Sequence, residues 1–171
     1  IGWTRDTRDS AIFTTEGTVQ RSFIETGLPV SVQRYYKWTY RHEWYSPLSR
    51  YLTLMMNGDA GVAGGYGGKP LPFFKNFYAG GVGSVRGYDP NSLGPRDSSN
   101  FSLGGNKRIG GNIELLFPMP GMEKEKSVRL SAFVDGGAVY GPGGQVTGSD
   151  GMRYSTGLGF TWFAPIGPIR F

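Results

Sequence analysis

Three residues of this chain have the types and the spacing for joint chemistry. Arg86 lies in Val85-Arg86-Gly87-Tyr88, inside a long glycine-rich segment. Glu114 and Asp135 lie in the two alternating runs that follow, Gly110-Gly111-Asn112-Ile113-Glu114-Leu115-Leu116-Phe117-Pro118 and Leu130-Ser131-Ala132-Phe133-Val134-Asp135-Gly136-Gly137. Side chains alternate between faces along a strand, and the phase of each run puts its acid on the polar, inward face. Two inward carboxylates admit two chemistries. They can work as a general acid and base, or they can grip a cation, for which a planar guanidinium is well matched. The acid/base reading lacks companions, because no nucleophile or metal ligand set adjoins the pair. His42 is the single histidine and there is no cysteine, which excludes a histidine-based triad, a multi-histidine metal site and thiolate chemistry. Gly83-Ser84-Val85-Arg86-Gly87 has neither the glycine spacing nor the following helix of a phosphate cradle. The expectation is therefore a loop arginine clamped by two acids, with no catalytic residues, no bound metal and no cofactor.

The elements that must position this clamp are strands. The chain has 171 residues, 38% of them apolar and 15% aromatic, with 29 glycines. That mixture suits short strands and tight turns, and no run sustains the apolar spacing of an amphipathic helix. No stretch approaches the roughly 18 apolar residues of a membrane helix. A membrane-spanning strand needs only about 10 residues with one apolar face, so a membrane stays open. The net charge of +5 is dispersed, unlike the basic clusters that bind nucleic acid. Ile1-Gly2-Trp3 is not a signal peptide, so export would require a leader upstream.

Alternation places strands at 34–45, 108–117, 128–140 and 152–162, with weaker ones at 18–26 and 51–57 and partial ones at 1–7 and 167–171. One face of these strands is aromatic or aliphatic, and the other is charged, polar or tiny. Trp38, Tyr40, Trp44, Tyr140, Tyr154 and Trp162 all fall on the apolar face. Four large aromatics in 34–45 would be a costly exposed patch in water. Trp and Tyr near strand ends form girdles at membrane interfaces, and a girdle is the expectation over a ligand-stacking surface. His42 falls among these aromatics, which implies an interfacial position or a bulge. Connections at 47–49 and 164–168 are short, and those at 8–17 and 118–126 intermediate. Those at 27–33, 58–106 and 141–151 include the longest. The 58–106 segment is too long for an ordinary connection and too aromatic for disorder.

Taken in order, a set of motifs carries a resemblance that covers essentially the whole chain. They are Gly2-Trp3-Thr4, Phe13-Thr14-Thr15-Glu16-Gly17, Pro72-Phe73-Phe74-Lys75-Asn76-Phe77-Tyr78-Ala79-Gly80-Gly81 and Val85-Arg86-Gly87-Tyr88. Leu93-Gly94-Pro95, Gly104-Gly105-Asn106, Glu114-Leu115-Leu116-Phe117-Pro118-Met119-Pro120-Gly121 and Ala164-Pro165-Ile166-Gly167-Pro168 follow. In this order they resemble the C-terminal barrel of the BamA family, which assembles proteins in the bacterial outer membrane. The resemblance implies an antiparallel transmembrane barrel of about 16 strands, of which 1–171 supplies roughly the eighth to fifteenth. It implies that 58–106 is an extracellular loop folded into the lumen, with Arg86 its latch and Glu114 and Asp135 the lumenal acids. It implies unfolded outer-membrane proteins as clients, and accessory lipoproteins reached through N-terminal POTRA domains. It also implies contact with the lipid bilayer and lipopolysaccharide. The POTRA domains and the first and last strands fall outside 1–171 in that scheme, so the chain is expected to be a fragment. Two other readings stay open. One is a related barrel for translocation assembly or for exporting a partner polypeptide. The other is a soluble ligand-binding β-barrel or sandwich.

Overall fold

A computed structural model describes residues 1–171 except 29, 31, 120–127, 143–150, 165–166 and 171, with backbone alone for 163–164 and 167–170. Eight strands form one sheet: β1 Gly2–Asp6, β2 Gly17–Thr26, β3 Tyr35–Pro47, β4 Thr53–Gly65, β5 Lys107–Pro118, β6 Val128–Tyr140, β7 Arg153–Ala164 and β8 Gly167–Arg170. Their order across the sheet is their order in sequence, and every neighbouring pair is antiparallel. A meander of this kind follows from alternating segments joined by tight turns. Within the long connection Phe73–Lys75 forms a short 3-10 turn. No described helix is long and apolar enough to cross a membrane, which says nothing of strands.

Seven strands lie close to where alternation places them. The exception is β4, which continues to Gly65 where the sequence suggests that the long connection starts at 58. Gly58-Asp59-Ala60-Gly61-Val62-Ala63-Gly64-Gly65 has the composition of a loop. It is held extended from both sides, by β3 through Tyr35↔Gly65 and by β5 through Val62↔Lys107. The long loop therefore occupies 66–106. His42 needs no bulge, because β3 pairs with β4 without interruption from Tyr35 to Pro47. The 118–126 turn and the 141–151 loop fall largely outside the described residues, as do Pro120-Gly121 and Pro165-Ile166 of the motifs.

The long loop packs on one face of the sheet, and small residues make the room. A side chain at Gly61 would put its first carbon 2.6 Å from the Phe77 ring, which lies under the Lys37 ammonium at 4.2 Å. Gly61→Val is expected to displace that ring and cost about 1–3 kcal/mol. The check is a lower unfolding temperature of the full-length protein in detergent, with a faster protease cut in 66–106. Ala79, Val85, Leu93 and Val139 form a compact apolar cluster between loop and sheet, with Tyr88 against it. At the short-turn end, Arg129 Nη1 on β6 donates to the Thr14 carbonyl at 3.0 Å and stands 5.5 Å from the Phe13 ring. The turn between β1 and β2 is thus drawn under the same face. Within it, the Thr15 hydroxyl and backbone hold the Asp9 carboxyl down at about 2.

The other face is apolar and bare. Trp38, Trp44, Ile113, Val134, Leu158 and Trp162 are all exposed there. A patch of this extent is not a water-facing surface.

Candidate functional site: a loop clamp on the sheet

The clamp is built by register. Glu114 on β5 stands opposite Phe133 on β6, and Asn112 opposite Asp135. Glu114, Asp135 and Phe133 therefore share one face, within two residues of each other along the strands. Arg86 enters from the loop and lies over the Phe133 ring, its guanidinium carbon 3.5 Å from the centroid. Arg86 Nε donates to Asp135 Oδ2 at 2.6 Å, and Nη2 donates to Oδ1 at 2.6 Å. The Arg86 backbone N–H adds a third bond to Asp135 Oδ2 at 3.0 Å. Arg86 Nη1 pairs with Glu114 Oε1. Asp135 is fully buried and Glu114 nearly so.

Burial alone disfavours a cation here, and its bonds to Asp135 with the Glu114 charge outweigh that, so the guanidinium is held above its ordinary value. One arginine thus faces two carboxylates, with an aromatic floor that adds a cation–π contact. All three guanidinium nitrogens are committed to holding the loop. Nothing in this arrangement places a nucleophile or a free carboxylate toward a substrate. Among the described residues no cluster of metal-ligating side chains occurs.

The residues around Arg86 fit the loop to the sheet. Val85 is completely buried, and a side chain at Gly137 would reach 2.8 Å from its Cγ2. Gly87 has φ +83°, a left-handed conformation that glycine adopts without penalty. Tyr88 Oη donates to the Tyr154 carbonyl on β7 at 3.2 Å. Arg86, Glu114, Asp135, Val85, Gly87 and Tyr88 therefore lie together, the two acids on the face of the sheet that the loop covers. The aromatic set does not converge. Trp38, Tyr40, Trp44, Tyr140, Tyr154 and Trp162 are spread over β3, β6 and β7, on the face away from the loop by register. Trp38 and Tyr40 stack at 6.4 Å between centroids, and both lie on β3.

Sequence reasoning missed several partners. Phe133 is one, although its inward phase among Ser131, Asp135 and Gly137 is itself a signal, since a lone aromatic there needs a reason. Asn112 donates to the Ser84 carbonyl at 2.9 Å. A second fastening joins the loop to the long-loop ends of β2 and β3. Lys75 pairs with Glu25, Tyr35 Oη donates to Glu25 Oε1 at 2.5 Å, and Lys37 Nζ donates to the Lys75 carbonyl at 2.9 Å. The bond to Glu25, and then Tyr35, holds Lys75 above its ordinary value. A third joins Arg108 to Asp59 at 2.7 Å and to the Tyr78 carbonyl at 3.2 Å.

The chain is 41% identical, over its whole length, to the outer membrane protein assembly factor BamA of Neisseria meningitidis serogroup B. It is 29% identical to BamA of Nitratidesulfovibrio vulgaris, again over its whole length. A SAM50-like protein of Schizosaccharomyces pombe is 29% identical over 80% of the chain. The chain spans 25% of the Neisseria relative and 22% of the Nitratidesulfovibrio one. The crystal structure of Haemophilus ducreyi BamA lacking POTRA domains 1–3 superposes with a TM-score of 0.88 at 27% identity. That match covers 99% of this chain and 37% of the other. The eight strands are accordingly a portion of an antiparallel barrel wall. A family model for the Omp85 superfamily domain matches residues 1–171, and the chain belongs to that superfamily.

Proposed function

We propose that residues 1–171 are the C-terminal portion of the barrel of an outer-membrane assembly factor, which folds and inserts β-barrel proteins into the bacterial outer membrane. Its clients are unfolded outer-membrane proteins. Accessory lipoproteins engage POTRA domains that lie outside this chain, and the bare apolar face meets the bilayer and lipopolysaccharide. The protein works without a cofactor and is not an enzyme. The 66–106 loop lies in the lumen, and Arg86, Glu114 and Asp135 latch it there. Trp38, Tyr40, Trp44, Tyr140, Tyr154 and Trp162 form the membrane girdle.

The observation that carries this reading is the clamp itself. A half-buried arginine whose three guanidinium nitrogens all reach buried carboxylates is a fastener, and it fixes a 41-residue loop (66–106) against a wall whose outer face is apolar. The names of the two BamA relatives support assembly over polypeptide export. The test is reconstitution of the full-length protein in liposomes with a urea-unfolded outer-membrane barrel as client. The expected result is faster appearance of protease-resistant, membrane-inserted client than with empty liposomes. Transport of a soluble partner polypeptide across the bilayer, with no acceleration of client insertion, would overturn it in favour of an exporting barrel.

A further inference from the structure

The apolar face carries one cross-strand row that is unlike its neighbours. Pairing runs without a break through Arg5↔Gln20, Gln20↔His42, His42↔Gly58, Gly58↔Gly111, Gly111↔Gly136 and Gly136↔Tyr154. Positions on this face normally carry apolar side chains against lipid. Here three consecutive positions are glycine, and three others are Arg, Gln and His. The glycines leave a groove of about 560 Å³. Its walls include Met56, Ile109, Ile113, Val134, Met152 and Tyr154. A side chain at Gly58 would meet nothing within 4 Å, and one at Gly111 would meet only the Asn57 carbonyl, at 3.4 Å. The gap at Gly58 and Gly111 is therefore not required by packing within the sheet, whereas a side chain at Gly136 would come 3.1 Å from the Tyr154 ring.

The polar end of the row is equally unexplained by the fold. His42 lines the groove, and its Nε2 is buried without a hydrogen-bond partner among the described residues. A buried polar atom left unpaired is costly. Arg5 is exposed, and no ion pair of Arg5 occurs among the described residues. It lies next to the end of β1, at the intermediate 7–16 turn to β2 and on the same side as the short 48–52 turn between β3 and β4, whereas Tyr154 lies at the long-loop end of β7. In outer-membrane barrels short turns are periplasmic, so the row climbs from the periplasmic interface into the membrane.

We infer that this row is a binding site for an anionic glycerophospholipid of the periplasmic leaflet, with the phosphate on Arg5 and an acyl chain in the glycine groove. The dimensions match that occupant. Strands are about 4.8 Å apart, which puts His42 about 10 Å from Arg5 and makes the groove from His42 to Tyr154 about 19 Å long. With strands tilted about 45°, that length descends about 13 Å, close to one leaflet of a 30 Å hydrocarbon core. A guanidinium binds phosphate through paired charge-assisted bonds. Gln20 and His42 come next, at the depth of the glycerol esters, where the Gln20 amide donates to an ester carbonyl and the His42 ring, turned so that its shielded Nε2 faces the groove, donates to the other. The chain then lies over Gly58 and Gly111, which substitute a smooth floor for side chains, and ends against the Tyr154 ring beside Gly136. The net positive charge at the head end selects an anionic headgroup over a zwitterionic one.

The proposal rests on the reading of the sheet as an outer-membrane barrel wall, and the test separates the two. The full-length protein in mild detergent is titrated with phosphatidylglycerol or with phosphatidylcholine of the same chains, and retained lipid is counted by native mass spectrometry. The wild type is expected to retain one phosphatidylglycerol about tenfold better than phosphatidylcholine. Arg5→Gln should abolish that preference while keeping chain-dependent retention. Gly111→Leu should fill the groove and abolish retention of both lipids. His42→Phe gives an independent reading, with weaker retention of either headgroup, should Gly111→Leu fail to fold. Equal retention of both lipids by the wild type, or unchanged retention in Gly111→Leu or His42→Phe, overturns the site. A full-length protein that is soluble without detergent overturns the barrel reading itself.

Discussion

Arg86→Ala is expected to destabilise the full-length protein by about 3–5 kcal/mol, the cost of removing one partner from a buried ion pair. The magnitude follows from what the truncation leaves behind. Asp135 is completely inaccessible and Glu114 nearly so, and Arg86 supplies three of the hydrogen bonds to Asp135 when its backbone N–H is counted. The backbone bond survives truncation; the charge is left unanswered. Phe133 also loses the cation that lies over its ring. The expected signature is a lower temperature for loss of the folded, faster-migrating band on unboiled gels, with protease cutting within 66–106. Arg86→Lys keeps a charge but not the planar fork, and should fall between the two. A variant Arg86→Ala that matches the wild type in both readings, and supports growth as well, would remove the latch from the account.

Gly105→Val is expected to cost about 3 kcal/mol, at the upper end for overpacking. A first side-chain carbon at Gly105 would sit 2.2 Å from the Tyr140 carbonyl oxygen and 2.8 Å from Val139 Cγ1. Most crowding is relieved by turning a side chain, but the group in the way here is backbone. That carbonyl accepts from the Asn106 N–H at 2.9 Å, while Gly105 exchanges backbone bonds with Phe77 at 2.7 and 2.9 Å. The loop must give up one set of bonds or the other where it returns to the sheet. Gly87→Ala is the informative contrast. Its nearest neighbour is the Ser155 Cβ at 3.8 Å, so only the left-handed backbone matters, at about 1–2 kcal/mol. Unfolding temperatures of the two variants should differ in that order. Equal effects would show that room at the loop's exit is not what limits position 105.

Much of this was legible in the chain. The period of two in 108–117 and 128–140 is a local property, set by which residues must leave water or meet it. It put Glu114 and Asp135 on one face before any partner was known. The same phase put Trp38, Trp44 and Tyr154 on the other. The end of β4 was not legible. Glycine and alanine at 58–65 carry too little side chain to declare a face, and their extended state is imposed by β3 and β5. The Lys75–Glu25 and Arg129–Thr14 contacts were also hidden, because they join segments far apart in sequence whose meeting depends on how the sheet curls.

By itself, then, the sequence determined seven of the strands with their faces, the start of β4, the clamp's three charged members and the family. Those depend on alternation and on short motifs, which are written locally. Only the tertiary structure decided that Phe133 is the floor beneath Arg86, that the loop begins at 66, and that Arg5, Gln20, His42, Gly58, Gly111 and Gly136 stand in one row. Register between strands is a cooperative property of the whole sheet, and a shift of one residue would have turned each of those side chains to the opposite face.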